Sequence, residues 1–334
     1  MPGESSLEDP ALAGLPLAGG ATGEAARDLQ RRLTGAGHAI ELTEAGRYGP
    51  STETAVSRFQ ADRGLHVDGV CGPQTWSALV EAGYRLGDRL LYQRAPMMRG
   101  DDIGELQLRL GSLGFDTGRV DAIFGPATTR AVADFQRNAG LTTDGICGPD
   151  SLAALRRLVE GPPTSSVAGV REREAMRGAP RRLHDRRVVV GETGGLDALA
   201  AALGRALGDL GAPVAVMHHP DGSAHAADAN GFDAAAYLGL ALVDEEGCRA
   251  AHYATTGFES TGGRHLAELA VGELADLLGA TEVRGMRLPV LRETRMPAVI
   301  CELGPPDRVV EHGAAVATAL SRAVARWAVD PVEP

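Results

Sequence analysis

Tyr48-Gly49-Pro50, Ala55-Val56, Phe59-Gln60, Gly64-Leu65 and Asp68-Gly69-Val70-Cys71-Gly72-Pro73 return as Phe124-Gly125-Pro126, Ala131-Val132, Phe135-Gln136, Gly140-Leu141 and Asp144-Gly145-Ile146-Cys147-Gly148-Pro149. The offset is 76 residues at both ends of the stretch, from Gly49 to Gly125 and from Pro73 to Pro149. Upstream, Leu29-Gln30 and Leu33 are matched by Leu106-Gln107 and Leu110. Agreement held over several separated blocks marks an internal duplication. Each copy reads as three short helices. Gly-Pro opens the second and third, because proline at the first helical position loses only an N–H that would be unpaired there anyway. Ala55, Val56 and Phe59, like Ala131, Val132 and Phe135, share one helical face and are expected to pack against the first helix. Asp68-Gly69 and Asp144-Gly145 mark the turn before the third helix. Cys71 and Cys147 hold equivalent places in separate copies, so each is expected to be a reduced, buried small hydrophobe rather than half of a bridge.

Outward from the duplication, the bulk of the chain narrows its chemistry. At 334 residues and 44% hydrophobic content it has room for two or three cores. Its 33 basic against 44 acidic residues give a net charge of −11, which disfavours nucleic acid as a partner, since phosphate binding rests on Lys and Arg. Aromatic content of 4% leaves few rings for stacking on bases or sugars. Met1-Pro2-Gly3-Glu4-Ser5-Ser6 has neither a basic start nor a following apolar run, and no stretch is long and apolar enough to span a bilayer. A cytoplasmic protein is expected, with wall or membrane association only through partners. The four cysteines, Cys71, Cys147, Cys248 and Cys301, form no CxxC pair, so no zinc knuckle or redox motif is indicated.

Beyond Leu158, Gly161-Pro162-Pro163-Thr164-Ser165-Ser166, the charged run Arg171-Glu172-Arg173-Glu174 and the pairs Arg181-Arg182 and Arg186-Arg187 read as a linker with solvated charges. An α/β pattern then begins. Val188-Val189-Val190 reads as a buried strand, Leu196, Leu199, Leu203, Leu207 and Leu210 as a helix ending at Gly211, and Pro213–Met217 as the next strand. Ala235–Leu242, a helix near His265–Leu278, the strand Ala298–Cys301 and a closing helix to Trp327 complete it. Alternation of this kind predicts a mostly parallel sheet covered on both faces. The expected division is a flexible N-terminus (1–22), two all-α three-helix modules (23–86 and 87–160), a linker (161–186) and an α/β domain (187–330).

The duplicated blocks resemble the peptidoglycan-binding domain 1 family, whose pattern they follow in both copies. The resemblance implies a module that docks on wall glycan or stem peptide; persistence as scaffold or protein-binding surface is the alternative. In the last domain, Ala229-Asn230, Tyr237-Leu238-Gly239-Leu240 and Leu291-Arg292-Glu293-Thr294-Arg295-Met296-Pro297-Ala298-Val299-Ile300-Cys301-Glu302-Leu303-Gly304 are similar to the type 3 N-acetylmuramoyl-L-alanine amidases. Within them the arrangement looks like the CwlM-like proteins, which join two such modules to one amidase-like domain.

That resemblance implies a zinc ion held by two His and one Glu, with a further Glu as base. The loop that should carry the first His reads Val190-Gly191-Glu192-Thr193-Gly194-Gly195, and the segment that should carry the second reads Gly239-Leu240-Ala241. Neither contains histidine. Glu192 is the acidic residue nearest the register of the Glu ligand and is read as a carboxylate at a helix start. Glu302 matches the base, retained as a relic. His218, His219 and His225, with His252 and His265 beyond, are the candidates for a replacement site, although adjacent histidines on an extended segment face opposite ways. No cofactor is therefore expected, and zinc only if the chain is an active amidase. The leading expectation is a peptidoglycan-binding, amidase-like regulator or scaffold without hydrolase activity, with peptidoglycan or its precursors and a peptidoglycan-synthesis protein as partners. The alternative is a zinc-dependent amidase cleaving the muramoyl-L-alanine bond.

Overall fold

A computed structural model describes residues 14–159 and 167–332. They divide into two compact units, one formed by residues 14–117 and 122–159, the other by residues 167–332 together with Gly118–Asp121. The first unit holds α1 (Glu24–Gly35), α2 (Pro50–Asp62) and α3 (Pro73–Ala82), then α4 (Asp101–Ser112), α5 (Pro126–Asn138) and α6 (Pro149–Leu158). Pro50, Pro73, Pro126 and Pro149 each occupy the first position of their helix, as the Gly-Pro pairs predict. Two separate cores result. Leu29, Leu33, Tyr48, Val56, Phe59 and Trp76 build one, and Leu106, Leu110, Phe124, Val132, Phe135 and Leu155 the other. Cys71 and Cys147 are buried free thiols in these cores, and burial pushes both up to about 12.

The Phe-Gln pair of each copy explains the Asp-Gly turn. Gln60 Nε2 reaches Asp68 Oδ1 (2.7 Å), the Val70 carbonyl (3.0 Å) and Thr75 Oγ1 (3.1 Å), while its Oε1 accepts from the amides of Asp68 (3.1 Å) and Gly69 (2.9 Å). Gln136 repeats this with Asp144 Oδ1 (2.8 Å), the Ile146 carbonyl (3.0 Å), Ser151 Oγ (3.0 Å) and the amides of Asp144 (3.1 Å) and Gly145 (2.9 Å). Gly69 and Gly145 sit at φ +67 and +72, the left-handed region that favours glycine. The motif glutamines are therefore internal staples of the turn, and their side chains are buried.

Two expected boundaries need correction. Residues 1–13 lie outside the described part, but 14–22 are not a free tail: Leu17 is buried, and its amide donates to the Cys71 carbonyl while its carbonyl accepts from the Cys71 amide. Within the expected linker the second unit places α7 (Ala168–Arg177), whose Met176 joins the core of the α/β domain. Arg186 is buried with its guanidinium 4.8 Å from the Trp327 ring centroid, so this arginine is a packing residue and not part of a solvated run.

The second unit continues with β1 (Val188–Glu192), α8 (Asp197–Asp209), β2 (Val214–His218), α9 (Gly222–Gly231), β3 (Ala236–Leu242), β4 (Gly247–Thr255), β5 (Phe258–Glu259), α10 (Thr261–Leu278), β6 (Thr281–Met286), α11 (Pro289–Glu293), β7 (Ala298–Gly304), α12 (Pro306–Glu311) and α13 (Gly313–Val329). The sheet order is β2-β1-β3-β7-β4-β5, with β6 on β4. Pairings within β2-β1-β3-β7 and between β4 and β6 are parallel, and β4 runs antiparallel to β7 and β5. The mostly parallel sheet is thus observed. β4 and β6 are absent from the sequence reading because Arg249 and His252 interrupt one and the other has no apolar run. Val188, Val190, Leu238, Leu240, Val299 and Cys301 project from one face onto α8, α10 and α13, forming the main core.

Candidate functional site at the ends of the parallel strands

In an open parallel sheet, side chains at the carboxyl ends of the strands are free to meet a ligand. Here those ends carry Glu192 on β1, His218 on β2, Ala241 on β3 and Glu302 on β7. Register decides which of them can act together. Glu192 pairs with His218 on one side and Leu240 on the other, and Leu240 pairs with Cys301. Paired residues share a face and successive residues alternate. Glu192 and His218 therefore lie in the phase of Val188, Val190 and Cys301, on the face covered by α8. Glu302, one residue after Cys301 and opposite Ala241, lies in the other phase with Tyr237, Gly239 and Ile300.

Each carboxylate has its own surroundings. Glu192 is buried, and one oxygen accepts from the amides of Gly194 (2.8 Å) and Leu196 (3.3 Å) in the turn before α8. Its other oxygen lies 3.0 Å from His218 Nδ1, and the same nitrogen lies 3.1 Å from Asp197 Oδ1 at the first position of α8. Burial by itself raises the Glu192 carboxyl, but the His218 hydrogen bond and the two amides outweigh it and hold the group below its ordinary value. Glu302 is also buried and is held by Arg249 Nε at 3.1 Å, while Arg249 reaches Glu245 at 3.0 Å. β4 and β7 place Arg249 directly across from Glu302.

The remaining candidate histidines form no three-ligand group among the described residues, although the His219 and His225 ring centroids lie 6.4 Å apart. His219 takes the Asp221 amide on Nδ1 (2.9 Å), His252 pairs with Glu259 (2.7 Å), and His265 faces the Asp330 carbonyl (3.0 Å). His225 is buried on α9, with Nδ1 2.6 Å from the Tyr237 hydroxyl. Burial, then the neighbouring His219, lowers its basicity. Gly191 on β1 makes room for that pair, since a Cβ there would collide with the Tyr237 hydroxyl and stand 2.6 Å from His225 Nδ1. The glycine of the histidine-free loop thus has a packing reason of its own.

Against the sequence reading, Glu192 ends a strand rather than opening a helix. The acidic residue that opens α8 is Asp197, which the sequence reading missed although Leu196-Asp197 after a Gly-Gly pair is a legible helix start. Among the described residues, Glu192, Asp197 and His218 form a group whose potential metal-ligating atoms all lie within 4.8 Å of one another. Glu302 is not part of it.

Comparison with known proteins agrees with this architecture. The model of the putative peptidoglycan binding domain matches residues 22–79 and 99–155, one copy per helical module. The N-acetylmuramoyl-L-alanine amidase CwlM of Mycobacterium tuberculosis is 35% identical over 326 residues, covering 87% of this chain and 79% of its own. The chain belongs to the CwlM family. The amidase CwlL of Bacillus licheniformis is 34% identical over 168 residues, 44% of this chain and 47% of that protein. Among solved structures, the N-acetylmuramoyl-L-alanine amidase of Clostridium difficile 630 aligns over 42% of this chain and 96% of its own, at 16% identity and a TM-score of 0.36.

The zinc set implied for an amidase does not fit this CwlM-family chain. Among the described residues the one group of three potential metal ligands contains a single histidine, and Ala241, directly beside Glu302 on the neighbouring strand, offers no ligand atom. Glu302 itself is ion-paired with Arg249, which it shares with Glu245. No helix among the described residues is long and apolar enough to cross a membrane.

Proposed function

We propose that this peptidoglycan-binding, amidase-like protein does not hydrolyse peptidoglycan and acts as a cytoplasmic regulator or scaffold in cell-wall metabolism, with a peptidoglycan precursor and a peptidoglycan-synthesis protein as its partners. One observation carries this reading. The carboxylate in the place of the general base is ion-paired to Arg249 and faces Ala241, on the opposite side of the sheet from Glu192 and His218. A carboxylate paired with a guanidinium is a weaker base toward water than a free one. The tandem modules supply recognition, and the third domain supplies a surface.

The test is hydrolysis itself. The full chain is incubated with purified wall fragments, with and without added zinc, and released stem peptide is quantified beside the amount of protein that sediments with the fragments. Sedimentation without peptide release, unchanged in Glu302→Gln, is expected. Turnover that Glu302→Gln abolishes would establish the zinc-dependent amidase instead.

A further inference from the structure

We infer that the second helical module (α4–α6), and not the first (α1–α3), carries the recognition site of the pair, on the ribbon of residues 90–97. Its ligand is a short carboxylate-bearing peptide, the chemistry of an uncrosslinked stem peptide. The inference rests on the reading that the tandem modules supply recognition, and it gives that role to one copy. Each module enters its first helix through a ribbon pinned at two points. In the first, the Leu17 amide donates to the Cys71 carbonyl and the Tyr48 amide to the Ala21 carbonyl; in the second, Leu91 donates to Cys147 and Phe124 to Met98 in the same way. Between those points the first module has only Ala18-Gly19-Gly20, whereas the second has Tyr92-Gln93-Arg94-Ala95-Pro96-Met97. All six of these residues are exposed.

The longer ribbon presents an apolar surface. Tyr92 is 39% and Met97 44% exposed, with Leu90 at 54% and Ile146 at 38%. The antiparallel bridge between Leu91 and Cys147 brings Tyr92 toward Ile146, Leu90 lies against Gly148, and Met97 lies against Gly125. Gln93 Oε1 accepts from Thr129 Oγ1 at 3.1 Å, which ties the ribbon to α5. Tyr92 is the one exposed aromatic side chain among the described residues.

Two features select a peptide as the occupant. Among the described residues, no backbone N–H or carbonyl of residues 92–97 is hydrogen-bonded to the protein, whereas Gly20 in the shorter ribbon donates to the Tyr48 carbonyl. Unpaired main-chain groups beside apolar side chains are what an added peptide pairs with, and a glycan lacks that regular series of amides. Charge is the second feature. Arg94, and Arg130 next to Thr129 on α5, are exposed and have no ion pair among the described residues, in a chain of net charge −11. In the first module Glu53 meets Gly69 as Thr129 meets Gly145, and Thr54 stands at the place of Arg130. The second module therefore offers guanidiniums to a carboxylate, where the first presents a carboxylate of its own.

Binding to the full-length chain is measured by calorimetry, with N-acetylated L-Ala-γ-D-Glu-meso-diaminopimelate-D-Ala-D-Ala as the peptide and the tetramer of N-acetylglucosamine as the glycan. One equivalent of peptide is expected to bind, without competition from the glycan. Arg94→Ala should weaken it about tenfold, and Arg94→Lys less, since an ammonium keeps the charge and loses the fork. Tyr92→Ala should weaken it about fivefold, and Glu53→Gln should leave it unchanged. All four substitutions alter exposed side chains, and circular dichroism checks that the variants fold. Two equivalents, competition by the glycan, or undiminished affinity in Arg94→Ala or Tyr92→Ala overturns the assignment. Absence of peptide binding in a chain that still sediments with wall fragments overturns the site alone; absence of both overturns the reading of the modules as well.

Discussion

Module 1 (α1–α3) and module 2 (α4–α6) repeat one another in the turn that joins their last two helices and diverge where their first helices are anchored. The repeated part is the buried glutamine network, with Gln60, Asp68 and Thr75 in one copy and Gln136, Asp144 and Ser151 in the other. The divergent part is electrostatic. Module 2 holds a bidentate pair, Arg89 Nε to Asp102 Oδ2 at 2.7 Å and Nη2 to Oδ1 at 3.0 Å, with Asp102 fully buried. Aligning Leu29-Gln30 with Leu106-Gln107 puts the exposed Ala25 at that place in module 1. Module 1 instead fastens the start of α2 with Glu44, whose carboxylate accepts from the Ser51 amide (3.1 Å) and hydroxyl (2.6 Å) and the Thr52 amide (3.1 Å); Val120 stands at the matching position of module 2. What the copies retained in common is what the turn needs in order to form. The motif residues therefore diagnose the fold, and ligand preference has to reside in surfaces where the copies differ.

The strongest test of the common part is Gln60→Leu beside Gln136→Leu. Each leaves two turn amides and three acceptors without the glutamine partner, and each is expected to cost about 4 kcal/mol. A ~60-residue module has roughly 3–9 kcal/mol of stability to lose. Hydrogen exchange followed by mass spectrometry should show the amides of the altered module approaching unfolded rates while the other module stays protected. Markedly unequal costs would break the equivalence of the two networks.

Asp102→Ala tests the divergence, with an expected loss of about 3 kcal/mol confined to module 2, because the guanidinium of Arg89 loses its buried counter-charge. The loss is held to the lower end of the usual range by the 21% exposure of the Arg89 side chain and its stacking 3.5 Å from the Tyr84 ring centroid. The matching substitution in module 1, Ala25→Asp, should change stability by less than about 0.5 kcal/mol, as surface changes do. If both denature alike, the modules are anchored more similarly than their contacts indicate.

The helical half was legible because Gly-Pro helix starts and an Asp-Gly turn are local signals that the duplication prints twice, and the contiguous parallel strands β1, β2, β3 and β7 were legible from their apolar runs. The strand-end site was legible only in fragments. Glu302 and Ala241 could be placed by resemblance, but the partner of Glu302 lies on β4, whose Arg249-Ala250-Ala251-His252 run carries no strand signal of its own. The sequence likewise brings Glu192 and His218 near each other only through a parallel pairing that spans the whole of α8. Non-local pairings of this kind, and the sheet face a residue takes, are set by register, and a one-residue error in a strand boundary reverses the face. The same holds for α7, whose charged sequence hides the buried Met176 that joins it to the main core.

The smallest expected effect separates the modules by acid. The hydrogen bond from the Ser51 hydroxyl, ahead of the opposing effect of burial and with help from the Ser51 and Thr52 amides, lowers the Glu44 carboxyl below its ordinary 4.5. A carboxyl depressed in the folded state is ionised there while the unfolded chain has begun to bind a proton. Its contribution is complete above the unfolded value and is lost as pH falls from about 4.5 through the folded value. The chain has only two tryptophans, Trp76 in module 1 and Trp327 in the α/β domain, so Trp327→Phe makes fluorescence a reporter of module 1 alone. In that background, denaturant midpoints of module 1 should fall as pH is taken below 4.5, and Glu44→Gln should lower the midpoint at neutral pH while flattening the acid limb. An acid limb as steep in Glu44→Gln as in its parent would place the sensitive carboxylate elsewhere in module 1, and the contrast with Val120 would then carry no energetic weight.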